Sequence, residues 1–126
     1  MTDSLLLVAY SADPNSKPNS KPEPENAVAI SPLYTSTYAL PAPYTGNATI
    51  TPLSAHVDRS TNSFETVFTC AWCLRWSQGG TEGRAKTSSG MLDLAWAISP
   101  EKPVIEGNGD LQLVQHEKQG TWVAQV

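Results

Sequence analysis

A chain of 126 residues with eight Lys and Arg against twelve Asp and Glu, net charge −4, has the size of one domain built on one core. Its cations are scattered and never adjacent, which argues against nucleic acid as a partner, and no apolar run approaches the roughly 18 residues that a membrane span needs. The N-terminus has neither a basic n-region nor an A-x-A cleavage site, so no signal peptide is read in it.

The run SLLLVAYS (4–11) is a short continuous apolar stretch of the kind a buried strand shows. The segment ADPNSKPNSKPEPEN (12–26), with its prolines and doubled NSKP, cannot form a regular ladder and reads as an inserted, exposed loop biased to polyproline II. AVAISPLYTSTYAL (27–40) predicts one broken strand or two short ones, ended by Pro41 and Pro43. NATITPL (47–53) alternates as a strand, and Asn47-Ala48-Thr49 is a glycosylation sequon. SFETVFTCAW (63–72) has the clearest alternation. Phe64, Thr66, Phe68, Cys70 and Trp72 share one face, and Glu65 and Thr69 the other, as in a half-buried antiparallel strand. SQGGTEGRAKTSSG (77–90) reads as a long polar loop and MLDLAWAIS (91–99) as a strong apolar strand. DLQLVQ (110–115) and TWVAQV (121–126) are weaker strands with a turn around Gly120. No window has helical periodicity. About seven short strands separated by turn-rich spacers predict a single all-β domain, an antiparallel sandwich.

Few residues suggest catalysis. There is no G-x-S-x-G, no H-E-x-x-H and no glycine-rich phosphate loop between a strand and a helix. His56 is expected in an exposed polar turn beside Asp58 and Arg59, Met91 in the core, and Trp72, Trp76 and Trp96 as packing residues. The two cysteines, Cys70 and Cys73, form a CxxC. A thioredoxin-like pair would open a helix, whose N-terminus lowers the thiol pKa; here the motif ends a strand. A Cys2His2 zinc site would need His56 and His116 near the sulfurs, at separations that do not suit it. A disulfide-closed turn fits best, although positions i and i+3 of an extended strand face opposite sides, so the chain must turn or bulge there.

Four stretches in order carry a family resemblance: MTDSLLLVAY (1–10), TSTYALPAPYTGNATITPL (35–53), FETVFTCAWCLRWSQGG (64–80) and SSGMLDLAWAIS (88–99). Together they cover about half the chain, and it resembles the haem-binding, DOMON-like cytochrome domain of fungal cellobiose dehydrogenases. The resemblance implies an immunoglobulin-like β-sandwich, N-terminally truncated here, that binds haem b. Met1 and His116 are implied as axial ligands of the iron and Tyr38 as the residue approaching a haem propionate; Met91, expected in the core, is the substitute thioether if Met1 cannot ligate. It further implies an extracellular electron-transfer module with no catalytic acid, base or nucleophile. Its partners would be a flavin-dependent dehydrogenase domain as donor and a polysaccharide monooxygenase as acceptor. The alternative is a haem-free β-sandwich that binds carbohydrate or protein.

Overall fold

A computed structural model of the chain describes residues 4–11, 28–36, 40–107 and 111–125. Met1, Tyr38 and the proline-rich loop at 12–26 lie outside the described residues. Every regular element described is a strand, and every pairing is antiparallel.

The apolar run at the N-terminus forms β1 (Ser4–Ser11), which pairs with β2 (Val28–Thr35) from Ser4↔Thr35 to Ser11↔Val28. Among the described residues the end of β2 is the best covered: Leu33, Tyr34 and Thr35 are buried. Pro41 and Pro43 do not simply terminate structure, as the sequence suggested. Ala42–Pro43 form a short edge strand, β3, against Leu33 and Tyr34, an edge being where a residue without an N–H is tolerated.

β4 (Thr49–Asp58) and β5 (Ser63–Ala71) form the longest hairpin. A bulge between Pro52 and Ser54 leaves Leu53 outside the register and exposed. The expected alternation holds from Thr66 to Cys70: Thr66, Phe68 and Cys70 are half-buried, whereas Glu65, Val67 and Thr69 are exposed. The connecting turn is organised by the Asp58 carboxylate, which accepts the Ser60 hydroxyl at 2.6 Å and the Ser60 N–H at 2.9 Å. These bonds favour the ionised carboxylate, so its pKa lies below the ordinary value, with the Ser60 hydroxyl the largest cause. Asn62 supplies the left-handed residue of the turn, with φ of 53°, a conformation Asn tolerates. His56 is exposed as expected, but it belongs to β4 opposite Glu65 and not to a turn.

The expected polar loop at 77–90 is corrected. β6 (Arg75–Gln78) and β7 (Thr81–Arg84) form a hairpin around Gly79-Gly80. Both glycines have positive φ, 63° and 83°, as a two-residue turn matched to the strand twist requires. Its inner face is tied to the buried end of β2 and to the β3 segment. The Tyr34 and Thr81 hydroxyls lie 2.5 Å apart, the Thr45 N–H donates to Gln78 Oε1 at 2.9 Å, and Gln78 Nε2 donates to the Pro43 carbonyl at 3.0 Å.

β8 (Met91–Ile98) pairs with β11 (Lys118–Gln125) along its whole length. A small ladder of β9 (Val104–Ile105) and β10 (Leu111–Gln112) lies between them in sequence. Gly120 is not at a turn. It lies inside β11 directly opposite Trp96, whose indole occupies the space a Cβ would need: three ring atoms would stand 2.8 Å from it. Aromatic cover of this kind compensates for a glycine's missing side chain in a sheet. Met91 is partly exposed at the start of β8 and is not the core residue expected.

Candidate functional site

The CxxC is structural. Cys70 and Cys73 are joined as a disulfide with Cα atoms 5.7 Å apart. The reversal the spacing demands is made by Trp72: β5 ends at Ala71 and Trp72 adopts a left-handed φ of 64°. That rotation throws the Trp72 side chain out to 72% exposure, so it neither continues the inward face of β5 nor packs as expected. The sulfurs are bonded to each other and carry no thiolate for zinc, and no helix follows them to lower a thiol pKa. Among the described residues, no three His, Cys, Asp or Glu converge as a metal site.

His116 lies in the segment between β10 and β11, just beyond the last rung of the β8–β11 ladder. The next residue, Glu117, donates its N–H to the Ile98 carbonyl at 2.8 Å, and Lys118 pairs with Ile98. The imidazole is exposed and has no hydrogen-bond partner among the described residues, so both ring nitrogens remain available. Met91 cannot complete a ligand pair with it. Met91 pairs with Gln125 at the opposite end of the same ladder, and seven residues of strand separate that rung from Ile98, about 24 Å. Two ligands of one iron must converge on it, so Met91 does not fit as the thioether partner of His116. Of the other implied site residues, Met1 and Tyr38 lie outside the described residues.

The register also groups residues that sequence reasoning left apart. Leu92, Leu94, Trp96 and Ile98 of β8 share a face with Gly120, Trp122 and Ala124 of β11. Trp96 and Trp122 remain 42% and 49% exposed on it. Trp122 was visible only as part of a weak strand; the alternation of both strands, once placed in register opposite Leu94, is the signal that puts it on the same face as Trp96. On β6–β7, Arg75 and Arg84 are directly opposed, a pairing that the Gly-Gly turn could have disclosed.

These features define an antiparallel all-β domain with a disulfide-closed strand end and an accessible histidine beyond its C-terminal ladder. Residues 1–126 match the family described as the cytochrome domain of cellobiose dehydrogenase, and the chain belongs to that family. It is similar to the solved cytochrome domain of Myriococcum thermophilum cellobiose dehydrogenase, with a TM-score of 0.78 and 34% sequence identity, over 99% of this chain and 54% of that one. This chain therefore spans about half the length of that relative. The family read from the four sequence stretches is borne out, and so is the all-β sandwich fold.

Proposed function

We propose that this chain is a b-type haem electron-transfer module. Family membership over the whole chain is the observation that carries the reading. The donor chemistry is compatible with it where it is described: His116 is an exposed imidazole on a segment pinned to β8 through Glu117. Met1 is the proposed thioether ligand and Tyr38 the residue proposed to approach a haem propionate. Haem bound by thioether and imidazole carries one electron at a time, and the thioether raises its potential. The task of the protein residues is then positional. Met1 and His116 would hold the haem through thioether and imidazole, and the β8–β11 ladder fixes the backbone from which His116 projects.

In this reading the electron donor is a flavin-dependent dehydrogenase domain and the acceptor an extracellular protein such as a polysaccharide monooxygenase. An extracellular setting agrees with the disulfide, and among the described residues no helix is long and apolar enough to cross a membrane. Asn47, exposed in the bend before β4, is the proposed glycosylation site, with the Thr49 hydroxyl donating to its carbonyl at 3.2 Å.

A second reading, a haem-free sandwich that binds carbohydrate or protein, is favoured by the half-exposed Trp96 and Trp122 on one sheet face. One experiment separates the two. The chain is expressed with haem supplied, and its absorption spectrum is recorded for the parent and for His116→Ala. A Soret band that shifts or disappears in the variant supports ligation by His116. No band, or one that His116→Ala leaves unchanged, overturns the haem assignment and leaves the binding-module reading.

A further inference from the structure

The outward face of the β6–β7 hairpin carries a charge arrangement that the haem reading does not use. Arg75 and Arg84 are directly opposed, and both line one open concavity of about 430 Å³ together with Glu82 and Gly83. Ala85 donates its N–H to the Leu74 carbonyl at 2.8 Å. That bond extends the pairing by one residue and puts Lys86 on the side of Arg84. All three cations are exposed, and among the described residues none forms an ion pair, with Glu82 or any other carboxylate. Three cations against Glu82 leave this face net positive on a chain whose net charge is −4.

Like charges directly opposed across a ladder are destabilising, so the hairpin holds Arg75 and Arg84 together against their own repulsion. Its support is firm. The opposite face is bonded to Tyr34, Pro43 and Thr45, and the Cys70–Cys73 disulfide closes the chain two residues before Arg75. Two guanidinium forks at cross-strand spacing suit bidentate capture of planar oxyanions.

The geometry points to an anion-docking face whose partner is the carboxylate-bearing surface of another protein. The concavity is open and lies on a sheet face, so a small carboxylate would stay largely in water. An acidic protein surface can engage Arg75, Arg84 and Lys86 at once, and complementary charge of this kind steers association.

The test is titration of the full chain with a short oligo-glutamate peptide, with glutarate as the monomeric carboxylate, read by calorimetry at low and high salt. The peptide is expected to bind more tightly than glutarate and to weaken as salt rises. Arg75→Gln and Arg84→Gln should each weaken it by about tenfold, the loss of one charge-assisted contact, and Lys102→Gln should leave it unchanged. Absence of peptide binding, an equal loss in Lys102→Gln, or glutarate binding as tightly as the peptide would each overturn the proposal. Both arginine variants relieve a repulsion and should melt no lower than the parent. If one melts lower, the salt titration of the unmodified chain decides, and binding that does not weaken with salt overturns the proposal. The readout is peptide binding and not a haem spectrum, so this proposal and the haem assignment can fail separately.

Discussion

Opening the Cys70–Cys73 disulfide should destabilise the fold by a modest, calculable amount. The bridge closes a ring of four residues, counted from Cys70 to Cys73. The loop-closure relation then gives about 6 cal/mol/K of entropy removed from the unfolded chain, about 1.9 kcal/mol at 25 °C. Part of that gain is offset in the folded state, because Trp72 is held in the left-handed region, a conformation that costs about 1–2 kcal/mol for a residue with a Cβ. If the open ring lets Trp72 relax, the net loss falls below the ring value. Reduction, or the double substitution Cys70→Ala/Cys73→Ala, should therefore lower stability by at most about 2 kcal/mol, and by about 1 kcal/mol or less where Trp72 relaxes, up to several degrees in Tm for a domain of this size. Circular dichroism melts with and without reductant measure it. Trp72→Gly separates the two contributions, since glycine adopts positive φ freely and the lost indole is mostly exposed. In that variant the gap between oxidised and reduced melts should widen toward the full ring value. Two titratable thiols in unreduced protein, or melts of Trp72→Gly that coincide with and without reductant, would refute the clasp. Oxidoreductase activity toward a disulfide substrate would refute its structural role, because no helix follows the motif to activate a thiol.

Tyr34→Phe removes the hydroxyl that meets Thr81 and ties the β6–β7 hairpin to β2. It should cost about 1 kcal/mol in denaturant unfolding, with faster amide exchange confined to residues 75–84. Gly120→Ala drives a methyl into the Trp96 indole and should cost about 1–3 kcal/mol, accompanied by a shift in tryptophan emission. A variant as stable as the parent would show that the indole does not occupy that space. Asp58 has a lowered pKa in the folded chain, so its contribution is present above the unfolded value and is lost as pH falls through the lower folded value. Acid melts should show Asp58→Asn destabilised at neutral pH, with the difference from the parent shrinking as the parent's carboxylate is protonated.

The strands that were legible in the sequence are those with an apolar run or a clear alternation of side chains. SLLLVAYS, the inward face of 66–70 and MLDLAWAIS are apolar enough for the hydrophobic pattern to specify them. The β6–β7 hairpin was not legible by that route because RWSQ and TEGR are short and polar. Their inward positions, Trp76, Gln78, Thr81 and Gly83, are half-buried, but Gln78 and Thr81 are satisfied by hydrogen bonds to β2 and the β3 segment, not by apolar contact. The local signal for this hairpin was the turn chemistry of Gly79-Gly80. Gly120 misled in the opposite direction. Glycine usually marks a turn, yet here it makes room for an aromatic ring from the neighbouring strand, a relation that exists only once the register is set.

The candidate site was less legible for a related reason. A pair of axial ligands needs no spacing motif; each ligand is one side chain on its own segment, so composition and periodicity single out neither. His116 could be named only through the four family stretches. Met91 shows what register adds. In sequence it looks like a reasonable thioether, since it opens the apolar strand that precedes the candidate histidine. The antiparallel ladder reverses that proximity: β11 runs back along β8, so the segment carrying His116 is anchored beside Ile98, at the far end from Met91. This makes a definite demand on the haem assignment. If iron is bound through His116, Met91→Leu should leave both the spectrum and the reduction potential of the haem unchanged, because its backbone stands about 24 Å along β8 from that anchor. A potential that falls on this substitution would mean that the β8–β11 register, and with it the position of His116, is wrong.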